Sequence, residues 1–226
     1  MFNRFGIYMT PEVESFAELG ASWLGWDLAE GSAVDFPAHM AETLCVTTMV
    51  PRKYGFHGTI KPPFHLADGT TYDALVIEAL RLCATLKPVT IEGLQVEQIG
   101  NFLALVPSGN LAPLADLAAA VLQELDVFRA PPSDDELSRR RKANLTPLQE
   151  TNLKNWGYPY VLEAFKFHIT LTGPIEPDQT STLISMAQSH FADHLERPIT
   201  IEALTLVGEA GDGRFHALHR MPLSEK

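Results

Sequence analysis

The chain repeats itself, and the repeat limits its fold more than any other feature. Pro88-Val89-Thr90-Ile91-Glu92-Gly93-Leu94-Gln95-Val96 matches Pro198-Ile199-Thr200-Ile201-Glu202-Ala203-Leu204-Thr205-Leu206 at five positions. Phe56-His57-Gly58-Thr59-Ile60 matches Phe167-His168-Ile169-Thr170-Leu171, and Phe102-Leu103-Ala104-Leu105 matches Phe215-His216-Ala217-Leu218. Three matches in one order, all spaced by about 110 residues, describe two copies of one unit. Each unit reads strand, helix, His-x-Thr strand, helix, strand, strand. Strands are expected near Arg4 to Met9, Phe56 to Lys61, Val89 to Gln98 and Phe102 to Val106, then Lys166 to Thr172, Ile199 to Gly208 and Arg214 to His219. Helical spacing of apolar residues marks Pro11 to Trp26, Tyr72 to Leu86, Pro113 to Phe128 and Asp178 to His194. The second copy is expected to reuse Phe102 to Val106 as its opening strand.

Helices interspersed with closely spaced strands give an α+β class with largely antiparallel pairing. The expected architecture is bilobal, with the duplicated units facing a central cleft. One lobe takes residues 1–101 and the other 102–226, closely joined as one functional unit. The stretch 129–160 belongs to neither copy. It opens with Pro131-Pro132, continues with a capping-box pattern at Ser133 to Glu136, and carries Arg139-Arg140-Arg141-Lys142. Two readings stay open for this basic helical insertion, a solvated charged helix or a lid whose cations approach an anionic substrate.

The pattern places chemistry on one side of each motif strand. Residues i and i+2 share a face, so His57 sits with Thr59 and His168 with Thr170, while Phe56, Ile60, Phe167, Ile169 and Leu171 anchor the opposite face. Composition gives about 0.6 His-x-Thr by chance, so one alone would mean little; two in matching apolar contexts are a signal. The remaining histidines, His39, His65, His190, His194, His216 and His219, lack a Thr two positions on and read as ordinary.

Phosphodiester cleavage needs a base, an acid and donors for the nonbridging oxygens. Two imidazoles, with an ordinary pKa of about 6.5, can supply both proton transfers near neutral pH. Two threonine hydroxyls can hold the phosphate. This chemistry calls for no metal and no cofactor, and no cysteine or carboxylate cluster accompanies either motif. The charge of −11 disfavours a long nucleic acid and leaves room for a small phosphorylated ligand. No stretch reaches the roughly 18 apolar residues of a membrane span, and the first residues lack a signal-peptide pattern, so a cytoplasmic protein is expected. Cys45 and Cys83 are expected to be buried apolar residues. Oligomeric state is not legible.

The runs Tyr54-Gly55-Phe56-His57-Gly58-Thr59-Ile60-Lys61-Pro62-Pro63-Phe64 and Phe167-His168-Ile169-Thr170-Leu171-Thr172-Gly173-Pro174 resemble the paired motifs of the two-histidine (2H) phosphoesterase superfamily, which includes RNA 2′,3′-cyclic phosphodiesterases. More narrowly, they resemble a bacterial family labelled as phosphonate metabolism proteins, and that likeness includes the insertion. Gly58 and Pro62 stand where alanines are commoner. The resemblance implies a bilobal fold and metal-independent phosphodiesterase activity. It makes His57 and His168 the catalytic groups, with Thr59 and Thr170 on the phosphate. Its association with phosphonate use points to a ribose cyclic phosphate as substrate; a cyclic nucleotide or RNA end, or binding without turnover, are the alternatives. Lys61, Arg140, Arg141 and Tyr158 are further candidates for substrate binding.

Overall fold

Alternating apolar residues along β1 (Phe5–Met9) already show two differently used faces. Phe5, Ile7 and Met9 enter the main core, while Tyr8 joins a smaller cluster on the other side. In the computed structural model, which describes residues 2–224, β1 is followed by α1 (Glu14–Leu24), β2 (Trp26–Asp27), β3 (Ser32–Ala33), α2 (Ala41–Thr47), α3 (Met49–Arg52) and β4 (Gly58–Phe64). Next come α4 (Tyr72–Cys83), β5 (Val89–Ile91), β6 (Gly93–Ile99), β7 (Phe102–Ser108) and α5 (Ala112–Glu124). The insertion supplies α6 (Asp134–Arg141) and α7 (Pro147–Trp156), and the chain ends through β8 (Ile169–Thr170), α8 (Thr180–His190), α9 (Ala192–Leu195), β9 (Ile199–Ile201), β10 (Ala203–Glu209) and β11 (Phe215–Pro222).

Seven strands form one sheet in the order β11-β10-β1-β4-β8-β7-β6, with every neighbouring pair antiparallel. The fold is therefore α+β. The repeats meet at the centre, where β4 of the first copy pairs with β8 of the second through Gly58 and Ile169, which are equivalent residues of the two motifs. β5 and β9 pair separately, Val89 with Ile201, Thr90 with Thr200 and Ile91 with Ile199, and the two threonine hydroxyls lie 3.0 Å apart. At the centre of each pairing a residue meets its own copy, Gly58 with Ile169 and Thr90 with Thr200, so a pseudo-twofold axis runs through them. The copies also interleave: β10, from the second, pairs with β1, from the first.

The helices cover one face. Trp23 and Leu24 of α1, Leu75 and Ala79 of α4, Leu117 and Val121 of α5, and Leu183 and Ala187 of α8 pack with Ile60, Leu105, Ile169 and Leu206 of the sheet. The motif residues Phe56 and Phe167 lie in that core, as their alternation predicts. Each deeply buried aliphatic or aromatic side chain contributes about 1.5–3 kcal/mol by leaving water. The other face holds Tyr8, Leu28, Val207 and Phe215, with Tyr54 at its edge.

Boundaries moved where local signals were weak. The expected strand at Val89 to Gln98 divides into β5 and β6, and the expected strand at Lys166 to Thr172 keeps only the two residues of β8. α2 and α3 arise where no helix is expected from periodicity. There Arg52 donates to the carbonyls of Leu24 and Cys45, tying the end of α1 to α2. Cys83 is buried as expected, but Cys45 is exposed because it lies on the outer side of α2. The capping box at Ser133 and Glu136 forms, and a second caps α7 through Thr146 and Gln149. Among the described residues no helix is long and apolar enough to cross a membrane.

Candidate active site

Antiparallel pairing of Gly58 with Ile169 sets the register of both motifs. Extending it by one residue each way puts His57 opposite Thr170 and Thr59 opposite His168. The four side chains share the face away from the helices, because Gly58 and Ile169 between them point to the core; a Cβ at Gly58 would meet the Phe167 ring. Directly opposed residues are about 5 Å apart and diagonal ones about 7–8 Å, so sheet geometry gathers two histidines and two threonines within the reach of one phosphate. The two pairs stand side by side on adjacent central strands.

Both histidines are held the same way. His57 Nδ1 lies 2.9 Å from the carbonyl of Gly55, and His168 Nδ1 lies 2.8 Å from that of Lys166, in each case two residues earlier. A carbonyl only accepts, so Nδ1 carries the proton and Nε2 is left with a free lone pair when the ring is neutral. His57 Nε2 accepts from the Thr59 hydroxyl at 3.1 Å. Gly55, at φ 72°, occupies the left-handed region that glycine adopts readily, and so turns its carbonyl under the ring.

The surroundings of the two rings differ. Tyr8 stacks on His57 with ring centroids 3.7 Å apart and an interplanar angle of 16°, and Tyr54 is tilted against it at 6.4 Å. Burial pushes the His57 imidazole down to about 4; the Gly55 carbonyl opposes this, and the charge of nearby His168 adds to it. Burial also pushes the Tyr8 phenol well above its ordinary range, with Tyr54, Glu209 and Tyr158 adding and Arg4 opposing. Tyr8 Oη is, among the described residues, the buried side-chain polar atom without a hydrogen-bond partner. His168 has a looser neighbour in Phe102, tilted at 5.8 Å. Neither Tyr8 nor Tyr54 is singled out by the sequence, although a tyrosine at an outward-facing position of the Arg4 to Met9 strand was a usable signal.

The further candidates separate. Arg140 lies over the Tyr158 ring at 4.6 Å, and Tyr158 is close enough to Tyr54 and Tyr8 for its charge to be felt there. These two bring the insertion toward His57. Arg141 instead pairs with Glu150 at 2.8 Å inside the insertion, joining α6 to α7. Lys61 is a correction: it is 1% exposed, and its ammonium donates to the Leu122 carbonyl at 3.0 Å and to Asp126 at 3.2 Å. The β1–β4 register shifts between Ile7 and Tyr8, which interrupts the alternation and turns Lys61 to the helix side. Burial pushes the Lys61 ammonium down to about 8 against the opposing charge of Asp126. Among the described residues no group of three or more histidine, cysteine or carboxylate side chains could hold a metal ion.

The DUF1045 family, described as a protein of unknown function, matches residues 59–216. A ribose 1,5-bisphosphate phosphokinase PhnN of Janthinobacterium sp. (strain Marseille) is 35% identical over 231 residues, which cover 98% of this chain and 51% of that protein. The protein of the same name from Laribacter hongkongensis (strain HLHK9) is 33% identical over 218 residues, covering 92% and 49%. The chain thus spans about half the length of the curated relatives it matches. Among solved structures, E. coli LigT complexed with phosphate aligns over 99% of both chains with 13% identity and a TM-score of 0.47.

Proposed function

We propose, for a chain that belongs to the DUF1045 family, that it is a phosphoesterase opening a small cyclic phosphodiester by two-histidine acid/base catalysis. One observation carries the reading. Two imidazoles, each with Nδ1 tied to a backbone carbonyl, lie on adjacent strands with a threonine hydroxyl beside each, and the Thr59 hydroxyl, which donates to His57 Nε2 here, is to turn to the ligand when one binds. Water attacks phosphorus and gives its proton to one neutral Nε2. The ring P–O bond breaks, and the departing alkoxide takes a proton from the other histidine, which must start protonated. Thr59 and Thr170 donate to the nonbridging oxygens. The proton transfers need no metal.

The substrate class we propose is a ribose cyclic phosphate. The longer relatives are named for ribose 1,5-bisphosphate, and opening the 1,2-cyclic phosphate of ribose 5-phosphate, with the C2 oxygen as the leaving alkoxide and the phosphate retained on C1, leaves that compound. The kinase in their name belongs, on this reading, to the half that this chain does not match, for no Gly-Lys pair occurs here from which a P-loop could be built. Arg140 and Tyr158 are proposed to close over the bound sugar.

The test is phosphorus NMR of ribose 1,2-cyclic phosphate 5-phosphate and of 2′,3′-cyclic AMP with excess chelator present. Ring opening of the former is expected, with His57→Ala and His168→Ala each slower by about 10²–10⁴-fold. Opening of 2′,3′-cyclic AMP alone would move the assignment to RNA ends. Tight binding of either without turnover would make the chain a binding module.

A further inference from the structure

The pseudo-twofold axis gives the two histidines equivalent backbone settings, yet the reaction requires opposite roles of them. β1 pairs Tyr8 with Thr59 and Met9 with Gly58; β7 pairs Ala104 with Thr170 and Leu105 with Ile169. Position 8 in the first copy is therefore position 104 in the second. A tyrosine stands at one and an alanine at the other, and only the tyrosine has a ring to lay on its neighbouring histidine. We propose that Tyr8 is a positioning residue that breaks the symmetry of the site, its stacked ring holding His57 as the proton acceptor and leaving His168 as the donor. The inference rests on the two-histidine reading and assigns the roles within it.

The ring acts through its face. Tyr8 Oη makes no hydrogen bond to His57, Thr59 or any other described group, so the phenol oxygen is not what orients the imidazole. A stacked aromatic has two opposed effects: its face attracts an imidazolium by about 0.5–2 kcal/mol, and its bulk removes the water that would solvate that cation. At His57 the second wins, since burial is the largest influence and lowers the affinity for a proton. The titratable groups facing this ring are Tyr8 from β1, Tyr54 from the turn before β4 and His168 on the second motif; Arg4, Glu209 and Tyr158 act electrostatically on Tyr8 itself. Arg4 and Glu209 pair with each other at 2.6 Å, so neither presents an uncompensated charge.

The deciding experiment titrates the histidine Cε1–H signals by NMR without substrate, and separately follows kcat against pH. Tyr8→Phe keeps the ring and is expected to leave both unchanged. Tyr8→Met fills much of the same volume without a flat face; there His57 is expected to titrate higher by at least about one unit, with the acidic limb of kcat moving alike and KM little changed. Phe215→Leu is the packing control, because Phe215 lies 6.0 Å from Tyr8 and belongs to the same cluster. It is expected to lower stability and leave the His57 titration in place. The proposal is overturned by a folded Tyr8→Met protein with an unshifted His57, by Tyr8→Phe shifting it as much as Tyr8→Met, or by Phe215→Leu shifting it equally. If Tyr8→Met does not fold, Tyr8→Leu takes its place under the same criteria. A wild-type protein that opens no cyclic diester would refute the enzyme reading alone, since the NMR titration reads the stack directly.

Discussion

Gly58→Ala should disturb the site from beneath. A Cβ built on Gly58 falls 2.1 Å from Phe167 Cζ, 2.3 Å from Cε2 and 3.1 Å from Cε1. Carbon atoms rest about 3.5–4.0 Å apart, so the ring edge must withdraw by roughly 1.5 Å. Phe167 is 5% exposed and sits in the main core, so it has little free space to enter. Overpacking of this kind costs about 1–3 kcal/mol, and the reduced freedom of the unfolded chain offsets about 0.4–1 kcal/mol of it, since Gly58 is not at a positive φ. A net destabilisation of about 0.5–2 kcal/mol is expected in urea denaturation. Because Phe167 precedes His168, kcat should fall with it. Phe167→Leu in the Gly58→Ala background should restore stability relative to the sum of the single changes by about 1 kcal/mol or more. Gly58→Ala with unchanged urea midpoint and kcat would show that the ring relaxes freely and that the motif glycine has no packing role.

Three other expectations follow from the same contacts. Lys61→Met should leave KM and kcat unchanged and alter stability by no more than about 2 kcal/mol, because the ammonium is buried against Leu122 and Asp126 and Arg129 still pairs with Asp126 at 2.7 Å; a raised KM in steady-state kinetics would return Lys61 to the substrate. The lowered affinity of His57 for a proton means that the unfolded chain binds more protons between about pH 4 and 6.5. Stability from this group is therefore complete above pH 6.5 and lost as pH falls toward 4, by about 1–3 kcal/mol, and His57→Gln should flatten that window in denaturation curves. Arg140→Ala should raise KM several-fold with little change in melting temperature, since Arg140 is exposed and contacts the Tyr158 ring; Arg141→Ala should do the reverse, and equal KM for the two would count against a lid.

The parts that were legible in the sequence are those written in local pattern. Alternation alone put His57 with Thr59 and buried Phe56 and Phe167, and the repeated Pro-x-Thr-Ile-Glu segment located β5 with β6 and β9 with β10. What escaped depends on distant pairing. Nothing near His168 announces that β8 is two residues long and lies between β4 and β7. Lys61 follows His57 and Thr59 by the rule of alternation, and an extra residue of β4 between Thr59 and Lys61, which shows only in the pairing of β4 with β1, removes it from their face. Tyr8 was unremarkable until the register set it beside Thr59 and its ring over His57.

The interleaving of β10 with β1 also bears on how such a site could have arisen. A single repeat has no second motif strand and no β10 of its own copy to flank β1, so an ancestor of half this length would have worked as a pair of identical chains exchanging strands. In that pair the position now held by Tyr8 and the one now held by Ala104 would have carried the same residue, and both histidines would have been interchangeable. Tandem fusion would remove that constraint. With both copies in one chain, a mutation can touch one side of the axis and spare the other, and the proposed division of labour between two identical side chains would become heritable.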